Sequence, residues 1–138
     1  LTSEFRKLHQ YTVFSVNSPM QVGIAQYLRD PAPYLGLPAF YQAKRDRFRA
    51  GLEGSGFRLL PCEGSYFQVA DYGALSDQPE AGFATWLTEA AGVAAVPMSA
   101  FYSSPREQRL GRFCFAKRDE TLGAGTRRLR AVQPTAGR

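Results

Sequence analysis

Histidine and cysteine are nearly missing from this chain of 138 residues: it has one histidine, His9, and two cysteines, Cys62 and Cys114, far apart and without C-x-x-C spacing. A zinc centre needs about four nitrogen or sulfur ligands, so no metal site is expected. Long apolar runs are lacking too. A bilayer span needs about 20 consecutive apolar residues, so no membrane segment is expected. The start, Leu1-Thr2-Ser3-Glu4-Phe5-Arg6-Lys7, has no initiator methionine and no basic-then-apolar signal pattern. It reads as a start in mid-chain, with the cysteines reduced in a cytoplasmic compartment. Acidic residues are in the minority, 12 against 17 Lys and Arg, for a net charge of +5. Such an excess can serve nucleic acid. Much of it, however, lies in Lys44-Arg45-Asp46-Arg47-Phe48-Arg49 and Arg127-Arg128-Leu129-Arg130, helix-like stretches without the interleaved aromatics of a stacking platform. A solvated helix face accounts for them, and no nucleic-acid partner is expected.

What is present suits one ordinary globular domain: 44% apolar and 21% charged residues, in a length that allows a real core. Residues 11–16 are β-branched and aromatic enough for a short extended piece. Ser18-Pro19-Met20-Gln21 has the form of a capping box with proline at the first helical position, and Asp30-Pro31 ends the helix that follows. A longer helix is predicted from Leu37 to about Glu53, with Tyr41, Phe48 and Leu52 inward and the basic residues outward, closed by Gly54 and Gly56. Residues 57–60 and 65–70 then read as extended segments around Pro61-Cys62-Glu63-Gly64. Asp77-Gln78-Pro79-Glu80 starts a helix with a Phe83, Trp86, Leu87 and Ala90 stripe, ended by Gly92. Residues 93–96 read as a strand buried on both sides, 97–109 as an irregular loop, 110–117 as a strand, and Asp119 as the cap of a last helix. The order predicts an α/β layer with a small mixed sheet and packed helices.

The strand Leu110-Gly111-Arg112-Phe113-Cys114-Phe115-Ala116-Lys117 carries the chemistry. Alternation places Phe113 and Phe115 on one face and Arg112, Cys114 and Ala116 on the other. Arg112 therefore stands beside small residues, and a guanidinium fixed by a strand matches a carboxylate in a bidentate way. The local sequence alone leaves a second reading open, an edge-strand arginine pointing into water, as most arginines do.

Six blocks together resemble a known family: His9-Gln10-Tyr11, Phe14-Ser15-Val16-Asn17-Ser18-Pro19, Tyr41-x-x-Lys44-Arg45-Asp46, Pro61-x-Glu63-Gly64-x-Tyr66-Phe67, Gly92-Val93-Ala94-Ala95-Val96-Pro97-x-Ser99-x-Phe101-Tyr102, and Arg112-Phe113-Cys114-Phe115-Ala116-Lys117. In this order they resemble the C-terminal part of class I/II aminotransferases that use pyridoxal 5'-phosphate, in the methionine and kynurenine branch. The resemblance implies the small C-terminal domain of a fold-type I enzyme, preceded by the long interdomain helix. Residues 1–30 would be a remnant of the large domain, 31–55 the linker helix, 56–133 the small domain and 134–138 a tail.

The same resemblance implies that Arg112 binds the substrate α-carboxylate and that Phe14 lines the substrate pocket, reaching across a homodimer interface. An ordinary core phenylalanine is the other reading of Phe14, and two roles are open to Phe101 and Tyr102, bordering the pocket or packing, of which packing is expected. The intact enzyme would exchange an amino group between an amino acid, methionine or an aromatic or kynurenine-like one, and a 2-oxo acid. That chemistry needs a Schiff-base lysine. Of Lys7, Lys44 and Lys117, none stands in the family's Ser-x-Ser-Lys type of setting, so the chain is expected to hold no cofactor-binding residue and to be inactive alone. The alternative is a non-enzymatic basic α/β interaction module.

Overall fold

Backbone preferences written along the chain largely decide where its elements begin and end in the computed structural model, which describes residues 1–104 and 106–134. The chain forms two compact units, residues 1–37 and 38–138. The first holds helix α1 (Thr2–Val13), helix α2 (Ser18–Tyr27) and the single turn α3 (Ala32–Leu35). None of the three contains a buried residue. Helix α1 overturns the expected extended piece over residues 11–16: the β-branched run is short, and strand propensity yields when an i to i−4 ladder is already running. The cap of α2 also lies one residue earlier than expected. Asn17, not Ser18, accepts the backbone N–H of Met20 through its side chain, at 3.0 Å.

The second unit holds all but the first residue of α4 (Leu37–Gly51), followed by β1 (Arg58–Leu59), β2 (Phe67–Asp71), α5 (Glu80–Trp86, continued by a π-helical turn to Ala91), β3 (Val96–Pro97), a 3₁₀ turn (Met98–Phe101), β4 (Leu110–Cys114) and α6 (Asp119–Arg130). The strands lie in the order β1-β2-β4-β3. Every pairing is antiparallel, which corrects the expected mixed sheet. A second correction concerns residues 93–96. Only Val96 and Pro97 pair, and Val96 is exposed because β3 is a two-residue edge rather than a buried strand. The tail expected over 134–138 lies, but for its first residue, outside the described residues.

One sheet face is buried. Gln68, Ala70, Gly111 and Phe113, with Phe115 just beyond the strand, point to it. Phe48 and Leu52 of α4, Phe83 and Leu87 of the α5 region, and Leu122 and Leu129 of α6 join the same core. Each such side chain contributes about 1.5–3 kcal/mol on burial. Phe113 lies against Phe48 and Phe57, at ring distances of 6.1 and 5.7 Å. Tyr72 stacks on Phe83 at 3.8 Å. The opposite face carries Phe67, Val69, Arg112 and Cys114, all half-buried.

Candidate functional site

On that second face, Arg112 occupies the middle of β4, the strand between β2 and β3. Its Cα partners are Val69 on one side and Val96 on the other. Valine cannot pair with a guanidinium, so the side chain lies over apolar neighbours with its charge unopposed. Two rings hold it. Its Cζ is 4.1 Å from the centroid of Phe67 and 4.5 Å from that of Phe101. Phe67 reaches it from the diagonal position on β2, and Phe101 from the end of the 3₁₀ turn. Cation–π contacts of this kind contribute about 0.5–2 kcal/mol each, according to exposure.

The Nε of Arg112 is buried and has no hydrogen-bond partner among the described residues. No described carboxylate forms an ion pair with its guanidinium either. A buried donor left unpaired costs about 1–3 kcal/mol. An arginine fixed by two rings, on a rigid strand and without an acceptor, can receive a planar anion such as a carboxylate in a bidentate way. The strand forms over Leu110–Cys114, three residues shorter than the expected 110–117, and places Arg112 on the half-buried sheet face between two strands, so the water-facing edge position is overturned.

Phe101 corrects the sequence-based expectation that it would pack. It is 54% exposed and borders the guanidinium. Tyr102 turns instead to Arg106, whose Cζ lies 5.0 Å from its ring. Phe67 carried no role in the sequence reading, because only the β2–β4 register brings it to Arg112. Phe14, the second expected site residue, is the C-cap of α1 in the first unit. It has φ 56° and ψ −75° and is 91% exposed. A bulky residue at positive φ is strained by about 1–3 kcal/mol, and such strain concentrates at functional sites.

The loop that brings Phe101 to Arg112 is fixed from below by Glu80, which is 1% exposed. Its carboxylate accepts the backbone N–H groups of Ser99, of Gln108 at 3.0 Å and of Leu110 at 2.9 Å. Burial pushes the Glu80 carboxyl up, but the hydrogen bonds from Leu110, Ser99 and Gln108 outweigh it and hold the group below its ordinary range. The backbone N–H of Glu80 in turn donates to the Glu107 carboxylate at 2.8 Å.

The basic stretch of α4 is only in part the solvated face the sequence suggested. Lys44, 15% exposed in its side chain, and Arg47 both pair with Asp119 at the start of α6, at 2.5 and 2.8 Å. Arg45 donates to the Cys62 carbonyl, and Arg49 to the Leu60 carbonyl and to Gln68 Oε1. Lys44, Arg45 and Arg49 are half-buried in these contacts, while Arg47 stays exposed beside Asp119. Among the remaining lysines, Lys7 pairs with Glu4 one turn away, and Lys117 is exposed just after β4. No group of three or more His, Cys, Asp or Glu among the described residues could hold a metal ion. No helix among them is long and apolar enough to cross a membrane.

Comparison with known proteins gives one consistent answer. Residues 2–129 match the family described as aminotransferase class I and II. Methionine aminotransferase of Escherichia coli is 47% identical over 133 residues, 96% of this chain and 34% of that protein. Kynurenine–oxoglutarate transaminase 3 of Rattus norvegicus is 33% identical over 90% of this chain and 32% of its own length. Among solved structures, YbdL of Escherichia coli, for which a methionine aminotransferase function is identified, superposes with a TM-score of 0.85 at 48% identity, covering 93% of this chain and 34% of that one. N-succinyldiaminopimelate aminotransferase of Mycobacterium tuberculosis follows at 0.79 and 37%, over 89% and 33%. The chain thus spans about a third of the length of the relatives it matches.

Proposed function

Because this chain belongs to the aminotransferase class I and II family, we propose that it is the carboxylate-receiving part of an enzyme that moves an amino group between an amino acid and a 2-oxo acid. Both substrates carry an α-carboxylate, so one receptor serves both halves of the exchange. Arg112 is that receptor. The observation that carries this reading is its guanidinium, stacked on Phe67 and Phe101 yet paired with no acid. Fixing the carboxylate orients the Cα–H bond of the substrate, and orientation alone can lower a barrier by several kcal/mol. The two rings favour a large apolar or aromatic side chain, in keeping with relatives named for methionine and kynurenine.

In this reading residues 1–30 belong to the large domain, 31–55 to the interdomain helix, 56–133 to the small domain and 134–138 to a tail. Phe14, exposed and strained, lines the substrate pocket across a homodimer interface, where its ring gains the cover it lacks here. Two unpaired cysteines suit a cytoplasmic enzyme. The family implies pyridoxal 5'-phosphate for the intact protein, but the residues of this chain do not fit that group. Lys44 and Lys7 are committed to carboxylates and Lys117 stands exposed, so no lysine here is an enclosed, free amine. The amino-transfer step accordingly belongs to residues outside this chain.

The test is Arg112→Lys in the full-length enzyme. Lysine keeps the charge but loses the bidentate fork. Loss of charge-assisted hydrogen bonds worth about 1.5–3 kcal/mol lowers kcat/KM by roughly tenfold to a hundredfold. An unchanged kcat/KM would reject the receptor.

A further inference from the structure

The carboxylate receptor is held in shape by a residue that never touches the substrate. We infer that Glu80 is a positioning residue: its buried carboxylate ties Ser99 and Gln108, near the two ends of the loop between β3 and β4, to Leu110 at the start of β4, and so keeps Phe101 on the guanidinium of Arg112. The inference rests on the receptor reading for its meaning and on its own geometry for its truth.

Three observations support it. The three N–H donors come from residues 19, 28 and 30 positions further along the chain, so one side chain closes a long loop onto the first turn of α5. Ser99 lies two residues before Phe101, and Leu110 two residues before Arg112. Each half of the stacked pair is therefore anchored to the same carboxylate by a short, ordered piece of backbone. Finally, a buried acid is costly unless its lone pairs are satisfied. Here its partners are three backbone donors, joined by the Ser99 hydroxyl, with no basic side chain among them, an arrangement that fixes main-chain geometry rather than pairing charge. Glu107 fastens the arrangement from the other side by accepting the Glu80 N–H.

A neutral amide cannot accept the same set. In Glu80→Gln, one of the two oxygens becomes an NH₂ that faces N–H donors, and the loop loses at least one tie. The experiment follows the Arg112 Nε–Hε resonance and its contacts to Phe101 in the 138-residue chain by NMR. With Cζ 4.1 and 4.5 Å from the two ring centroids, the expected result for the parent chain is a ring-shielded Hε signal. In Glu80→Gln the Arg112–Phe101 contacts vanish and the Hε signal moves downfield, while the core amides of Leu122 and Leu129 stay in place. Persistence of the contacts overturns the inference.

Should Glu80→Gln disturb the core amides as well, Glu80→Asp is read in the same way. It keeps the charge but is one methylene too short for all three donors, so the contacts weaken in part; an undisturbed Arg112 signal there overturns the inference. Adding 3-phenylpropionate to the parent chain separates the two claims. An Arg112 signal indifferent to it, together with lost contacts in the variants, contradicts the receptor and leaves the tether standing.

Discussion

Gly51 lies at the end of α4 where that helix meets α6, and a Cβ built there would stand 2.7 Å from the Thr126 hydroxyl oxygen and 2.8 Å from its Cβ. Thr126 is buried and its hydroxyl donates to the Leu122 carbonyl at 2.9 Å, so it has little room to withdraw. Gly51→Ala should therefore lower stability by about 1–3 kcal/mol, even though alanine gains about 1 kcal/mol of helix propensity. Urea unfolding followed by circular dichroism checks this; a stabilised variant would show that the helices separate freely.

Glu80 makes a second prediction at this scale. Its folded pKa lies below the unfolded value near 4.5. The charged form thus contributes stability that is fully present above pH 4.5 and is lost as pH falls through the lower folded value. Tyr72 and Glu107 are titratable groups beside it. Asp71 and Asp119 are also held low and add their own acid dependence in any variant. The difference between the parent chain and Glu80→Gln isolates the Glu80 share. That difference should shrink as pH drops below 4.5, and a constant gap would contradict it.

Elements show how much a linear sequence discloses. Helix α4 and the α5 region were legible because their apolar spacing is helical and glycine or proline marks their ends. The β4 alternation of Gly111, Phe113 and Phe115 against Arg112 and Cys114 was legible for the same reason, since a period of two needs no knowledge of the partner strand. Helix α1 was misread from a local cluster at residues 11–16. Strand pairing stayed hidden: nothing near Phe67 announces that its register carries it to Arg112, and nothing near Glu80 points to amides up to 30 residues away. The site was readable in its arginine and unreadable in the groups that hold that arginine.

At this scale the α4–α6 junction is testable too. Asp119 takes both Lys44 and Arg47, and it sits at the positive end of the α6 dipole. Its pKa is held down first by the hydrogen bond from Lys44, then by the charge of Arg47. Lys44→Met should raise the Asp119 pKa toward its ordinary value of 3.8, as read by carboxyl NMR titration; an unmoved value would mean that Arg47 and the helix end suffice.

Across the whole molecule, the first unit stands apart in composition of its surface. Phe5, Leu8, Tyr11 and Phe14 are 63, 71, 81 and 91% exposed, and 37 residues are too few to build a core of their own. Apolar side chains exposed to this degree drive association. In sedimentation the 138-residue chain should self-associate, and a version lacking the first unit should not; a monomeric parent chain would count against the exposed surface as an interface. The same chain should give no stoichiometric, borohydride-trappable adduct with pyridoxal 5'-phosphate, because each lysine is ion-paired or open to water.

The most direct measurement concerns the open acceptor position of Arg112. Its Nε–Hε resonance is followed while 3-phenylpropionate, and separately the uncharged 3-phenylpropionamide, is titrated into the chain. A carboxylate receptor gives a saturable shift with the acid, none with the amide, and no shift of the Leu129 core amide. An Arg112 signal that ignores the acid, or answers acid and amide alike, contradicts the account.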